Sequence, residues 1–141
     1  MTLGHQIVDK AIEIVKNGWT QGSWYVDNGY GSPNYDGSKV FGQPIDEDSA
    51  YHMYLDPKYK KRVSCCATGA VGLAAAIVTH KNAFKMQDQI HVLRACVGYL
   101  VDTYGEHDGL NIMSFNDRDD ATVNDVIEMF EGARERLPHG V

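Results

Sequence analysis

The sequence predicts a mainly α-helical protein with a small region of β structure and loops. Three observations support this α+β class: a run without charge between Arg62 and Lys81, apolar residues at helical spacing on both sides of it, and a segment at residues 23–62 rich in Gly, Asn, Asp and Pro. A chain of 141 residues fits one domain. We therefore expect a single domain over residues 1–141, with about four helices packed around a central apolar helix at 65–79.

The central helix is predicted from the uncharged run itself. A helix that is apolar on every side must be surrounded by protein or lipid. The run is rich in Gly and Ala and contains Ser64, which favours burial in protein over a membrane span. Gly69, Gly72 and Ala76 leave one side of this helix nearly bare, so the backbone of a neighbouring segment can approach closely.

Three further helices are predicted from apolar residues that recur at the helical period. The first covers residues 3–17 and the next covers 87–104. The last begins at Thr122-x-x-Asp125, which resembles a capping box, and Pro138 ends it.

The segment at residues 23–62 cannot form long regular elements, because turn-forming residues recur every few positions. At most two short strands are expected in it, at 23–26 and 38–41, paired as a ribbon. A short helical turn is expected within 45–54. A further short strand is predicted at 112–115, just before the final helix.

Composition excludes several classes of function. A net charge of −6 argues against binding nucleic acid through its phosphates. No zinc, calcium, phosphate-loop or dinucleotide motif is present, so we expect no metal and no cofactor. Because the uncharged run favours burial in protein, we also expect no membrane partner. Three cysteines, two of them adjacent, do not form a disulfide framework, which indicates a reducing cytoplasm.

One hypothesis is a cysteine-dependent hydrolase or transferase. Cys66 lies at the start of the central helix, where the positive end of the helix dipole can lower a thiol pKa. His80 would lie roughly 21 Å along the same helix, so the best candidate base is His107, whose loop leads to Asn116-Asp117. The candidate catalytic residues are thus Cys66, His107 and Asp117. The alternative is that Cys66 is simply buried and that Asp117 makes capping or turn hydrogen bonds.

The favoured hypothesis is a non-enzymatic binding module that recognises a protein or a small molecule. Residues 23–59 contain six of the eight tyrosines, and tyrosine offers a large, rigid contact area at low entropic cost. The alternative is that these tyrosines pack over the helices as a lid. A structural protein that forms homo-oligomers is a third option. The candidate binding residues are Trp19, Gln21, Trp24, Tyr25, Tyr30, Tyr35 and Asn116.

Short motifs in the chain resemble those of an uncharacterised family of small proteins from actinobacteria and their phages. The matching motifs are Trp19-x-x-Gly22, Cys66-Ala67-x-Gly69-Ala70 and Phe115-Asn116-Asp117. Phe115 stands where the family usually has Trp, and residues 25–59 are longer than its usual connection. The resemblance implies a phage or bacterial setting, such as a phage accessory protein, and it implies no activity.

Overall fold

The computed structural model describes residues 2–29, 42–80, 86–106 and 110–138. The α-helices in these ranges are α1 (Leu3–Asn17), α2 (Glu47–Leu55), α3 (Ala67–Val78), α4 (Met86–Tyr104), α5 (Ile112–Asn116) and α6 (Val123–Arg136). The strands are β1 (Tyr25–Asp27), β2 (Gln43–Pro44) and β3 (Val63–Cys65), and a 3-10 turn covers Lys60–Arg62. The predicted class, mainly α with a small β region, is confirmed.

Helix α3 is the interior element of the fold, as predicted. Every residue from 69 to 76 is buried. Helices α1, α2, α4 and α5 pack against α3, while α6 packs on α1 and α4. The core therefore forms around the Gly- and Ala-rich helix.

The prediction that this helix starts at residue 65 is wrong. Cys65 belongs to strand β3, and Cys66 is the N-cap of α3, with φ −74° and ψ 173°. A buried strand followed by a buried helix gives one continuous apolar run, and hydrophobic periodicity cannot separate the two. The boundary thus falls between the paired cysteines.

The three strands form one antiparallel sheet in the order β2-β1-β3. Tyr25 pairs with Cys65 and Val26 pairs with Pro44, so β1 is the middle strand. The strand predicted at 23–26 corresponds to β1, shifted by two residues. The other predicted strand, at 38–41, lies outside the described residues.

The predicted boundaries of the long helices α1, α4 and α6 are confirmed to within one residue at their starts. The capping box of α6 is present, with Thr122 and Asp125 each accepting a hydrogen bond from the backbone of the other. The helical turn expected within 45–54 is the nine-residue helix α2. Its N-cap is Asp46, whose side chain accepts from the Ser49 N–H at 2.7 Å.

The strand predicted at 112–115 is wrong, because these residues form the short helix α5. Asn111 and Ser114 form a capping box that starts the helix, with the Ser114 N–H donating to Asn111 Oδ1 at 2.8 Å. A four-residue segment with three apolar residues is ambiguous between strand and helix, and here the cap decides.

None of the helices in the described ranges is both long enough and apolar enough to cross a membrane.

Candidate functional site

Three segments that are distant in sequence meet at the N-terminal tip of α3. The turn after α1 joins β3 through a parallel bridge between Trp19 and Cys65. The Thr20 N–H donates to the Cys65 carbonyl at 3.1 Å, and the Cys65 N–H donates to the Gly18 carbonyl at 2.9 Å. The end of α5 completes the contact. We call this meeting point the Asn116 junction; its residues are Trp19, Thr20, Gln21, Gly22, Cys65, Cys66, Ala67, Asn116 and Asp117.

The side chain of Asn116 is the centre of the junction. It is only 1% exposed. Its Oδ1 accepts from the Trp19 indole N–H at 2.7 Å and from the Ala67 N–H at 2.9 Å. Its Nδ2 donates to the Thr20 carbonyl at 3.1 Å and to Asp117 Oδ1 at 2.9 Å. A carboxamide has two donor hydrogens and two acceptor lone pairs, and here all four are used.

Gln21 and Asp117 add hydrogen bonds between the turn after α1 and the end of α5. Gln21 Nε2 donates to the carbonyls of Asn116 and Arg118, at 2.9 and 2.7 Å. The Gly22 N–H donates to Asp117 Oδ1 at 3.0 Å. Gly22 has φ +79°, a conformation that glycine adopts without strain. The Trp-x-x-Gly turn and the Asn-Asp pair thus form one hydrogen-bonded unit.

The Cys66 thiol in this junction is buried and caps helix α3. It is 5% exposed, and its Sγ accepts from the Gly69 N–H at 3.3 Å as the cap of α3. Burial raises its pKa, and the negative charge of Asp117 adds to that effect, against the opposing hydrogen bonds from backbone N–H groups. Of the predicted triad, Cys66 and Asp117 lie at one junction, and His107 lies outside the described residues.

The junction is tied to the start of β1 by a close backbone approach. The Cys66 N–H donates to the Trp24 carbonyl at 3.1 Å. A Cβ placed on Gly69 would lie 2.5 Å from that same carbonyl oxygen and 3.1 Å from Tyr25 Cε1. The close contact between α3 and the Trp24 carbonyl therefore requires glycine at position 69. This agrees with the prediction that Gly69 lies on the bare side of the helix.

A groove opens beside this attachment, on the surface formed by β1 and the start of α2. It has a volume of about 540 Å³. We call it the Trp24 groove; its lining residues are Trp24, Tyr25, Ile45, Asp46, Glu47 and Asp48. Trp24 is 44% exposed, whereas Tyr25 is buried. The groove thus combines an accessible indole with three consecutive acidic residues.

The sequence matches the model of a family of unknown function, DUF6197, over residues 5–136. The chain belongs to this family. No curated protein and no solved structure gives a significant match.

The motifs on which the family resemblance was based converge on the Asn116 junction. Trp19 and Gly22 contact Asn116 and Asp117, and Cys66 and Ala67 form the tip of α3 beside them. Phe115 is buried with its ring 4.4 Å from the Arg118 guanidinium carbon. The indole N–H in the junction belongs to Trp19.

The predicted binding residues divide between the two sites. Trp19, Gln21 and Asn116 belong to the junction, and Trp24 and Tyr25 line the groove. Tyr30 and Tyr35 lie outside the described residues. Tyr54 is buried and Tyr51 is half-buried, so part of the tyrosine-rich segment packs against the helices.

The four groove residues at 45–48 lie within the segment 23–59 favoured for binding, but they are not among the individual candidate residues. The signal was present as the acidic run Asp46-Glu47-Asp48, but its partner Trp24 is 22 positions earlier. The two come together because the Ile45 N–H donates to the Tyr25 carbonyl at 3.0 Å, next to the pairing of β1 with β2. In the described part of the chain, no three His, Cys, Asp or Glu side chains are grouped as a metal site.

Proposed function

We propose that this protein is a non-catalytic binding module that recognises a protein partner through the Trp24 groove. The observation that carries the proposal is that Trp24, a large aromatic residue that is 44% exposed, lines an open groove of about 540 Å³. Exposing a large aromatic surface to water is unfavourable, and tryptophan is strongly enriched among residues that dominate binding energy at protein interfaces.

The rigid mounting of Trp24 supports this role. Its carbonyl accepts from the Cys66 N–H, and the next residue, Tyr25, is buried against Gly69 in the core. A recognition residue whose backbone is already fixed loses little conformational entropy on binding. The groove is thus preorganised by the helix that forms the core.

The setting of the partner is part of the same proposal. The family resemblance suggests a phage accessory protein acting on a host protein. The three cysteines are free thiols and all are buried, which supports a reducing compartment such as the cytoplasm.

Quantitative affinity capture from the cells that naturally express the protein tests the proposal. Three tagged forms are compared: wild type, Trp24→Ala, and Met86→Ala as a control that truncates another exposed apolar side chain, 56% exposed on α4. We expect at least one protein to be retained by wild type and Met86→Ala and reduced at least tenfold with Trp24→Ala. Equal retention by all three forms would exclude the groove as the recognition surface. Circular dichroism checks that Trp24→Ala remains folded.

A further inference from the structure

We propose that the Trp24 groove binds a basic segment of the partner protein, which places a lysine or arginine side chain over the Trp24 indole and beside the acidic residues at the start of α2. This inference rests on the proposed function, because it names the chemistry of the partner at the same groove. It is carried by the combination of an apolar base and an acidic rim.

The apolar part of the groove suits the stem of a long cationic side chain. Trp24, Tyr25 and Ile45 supply the apolar lining. Lysine and arginine lay their methylene groups along apolar surface while the charged group stays near water. A cation over an indole face is also attracted by the ring quadrupole, and tryptophan is the strongest of the aromatic side chains in this respect.

The rim of the groove carries negative charge only, among its described lining residues. The hydrogen bond from the Ser49 N–H lowers the pKa of Asp46, so this carboxylate stays ionised at neutral pH. Glu47 is an exposed lining residue next to Asp46. Asp48 lies 3.4 Å from His52 Nε2 and is 68% exposed.

The same acidic residues also stabilise α2. Asp46 is the N-cap, Glu47 and Asp48 lie in the first turn, and negative charge there favours a helix by a few tenths of a kcal/mol per residue, to about 1 kcal/mol. The pairing of β1 with β2 brings this helix start beside Trp24, so the charge that stabilises the helix also lines the groove.

The sheet edge beside the groove makes recognition by strand addition unfavourable. The edge strand β2 has two residues, and Pro44 has no N–H to donate to an added strand. Affinity must therefore come from side chains that enter the groove. The net charge of −6 also favours the approach of a basic partner over an acidic one.

Isothermal titration with synthetic peptides tests the chemistry. One probe is a nine-residue peptide with three lysines around one leucine in a Gly/Ser background, and the matched probe has glutamates in place of the lysines. We expect wild type to bind the lysine peptide and not the glutamate peptide. We also expect affinity to fall with added salt, because exposed charges are screened.

Two variants decide whether binding occurs at the groove. Trp24→Ala and the double variant Glu47→Gln/Asp48→Asn should each lower the affinity for the lysine peptide at least fivefold. The control is Glu128→Gln/Glu131→Gln on α6, which makes the same change in net charge at two exposed positions and should bind like wild type. Equal losses in both double variants, or no loss with Trp24→Ala, would indicate diffuse charge attraction and overturn the inference.

The capture experiment separates the failure of this inference from failure of the proposed function. If Trp24→Ala abolishes capture of a partner while the lysine peptide does not bind wild type, the proposed function stands and the basic occupant is wrong. If capture does not depend on Trp24, the proposed function itself is wrong. Binding of the glutamate peptide in place of the lysine peptide would also overturn the inference.

Discussion

The Asn116 junction and the Trp24 groove each contain one of the two tryptophans, and they use them in opposite ways. The Trp19 indole N–H donates to Asn116 Oδ1 in a network in which the Asn116 amide has all its partners. The Trp24 indole is accessible at the mouth of a groove. The Asn116, Asp117 and Gln21 side chains thus all make hydrogen bonds within the fold. Recognition is better sought where apolar surface is left open.

The two regions are also connected. The Trp24 carbonyl accepts from the Cys66 N–H, and Gly69 permits the contact. The junction therefore sets the position of the groove. Variants that break the junction should reduce stability, whereas variants in the groove should reduce binding.

The largest effect is expected for Asn116→Ala. This change leaves the Trp19 indole N–H and the Ala67 N–H without their acceptor in a buried site, and each such group costs about 1–3 kcal/mol. The free energy of unfolding, measured by urea denaturation, should fall by about 3 kcal/mol or more. The control Asn124→Ala, at an exposed position on α6, should change it by about 0.5 kcal/mol or less. Similar values for the two variants would show that the network is not stabilising.

A pair of glycine substitutions should change stability in opposite directions. Gly69→Ala places a methyl group 2.5 Å from the Trp24 carbonyl oxygen, so the backbone must shift, at a cost of about 1–3 kcal/mol. A Cβ at Gly98 on α4 would lie 3.6 Å from Arg136 Cδ and 3.9 Å from Arg136 Nε, which are ordinary contacts. Alanine in a helix interior is favoured over glycine by about 1 kcal/mol, so Gly98→Ala should stabilise. Stabilisation by both substitutions in the same denaturation assay would contradict the close approach.

Replacing each tryptophan by phenylalanine compares the two indoles directly. Trp19→Phe removes the donor to Asn116 Oδ1 and should lower the free energy of unfolding by about 1.5 kcal/mol. Trp24→Phe keeps an aromatic ring in the groove and should cost about 0.5 kcal/mol or less. If Trp24→Phe were the more destabilising of the two, our assignment of roles would be reversed.

Stability should also decline at alkaline pH, because burial raises the pKa values of the thiols. Burial raises the pKa of Cys96 to about 12, whereas the pKa of a thiol in the unfolded chain is about 8.5. The native state then keeps a proton that the unfolded state loses. The stabilising contribution is complete below about pH 8.5 and is lost as pH rises from there towards the native pKa. For Cys96 alone, the free energy of unfolding should fall by about 1 kcal/mol per pH unit in this range.

Denaturation at a series of pH values measures this slope, and Cys96→Ala is the control. The variant should be less stable at pH 7 and should lose less stability between pH 8.5 and 10 than wild type. Parallel profiles for the two proteins would show that Cys96 does not contribute to the slope.

The sequence is sufficient to predict the elements that are determined by residues close to one another along the chain. The amphipathic spacing in α1, α4 and α6, and the Thr122 cap, predict helices that the structure contains at nearly the same positions. The uncharged run likewise predicts a buried centre. The boundary between Cys65 and Cys66 could not be predicted, because it depends on Tyr25 pairing with Cys65 across 40 positions.

The same limit applies to the two sites. The sequence groups Cys66 and Asp117 as candidate catalytic residues, but hydrogen-bond partners decide whether such residues react or support the fold. Asn116 proves to contact Trp19 and Ala67, which no local pattern predicts. The Trp24 groove depends on β1 and β2 pairing across a long connection, so its acidic rim was not associated with the indole.

The reactivity of Cys66 tests most directly whether the junction supports the fold or performs chemistry. The native protein is treated with iodoacetamide over a range of pH, and labelled residues are mapped by mass spectrometry, with urea-unfolded protein as the reference. We expect Cys66 to be labelled much more slowly in the native state than in the unfolded state, with no increase in rate below pH 8.5. Rapid native labelling of Cys66 with an apparent pKa well below 8 would contradict the structural role and favour the cysteine-dependent enzyme.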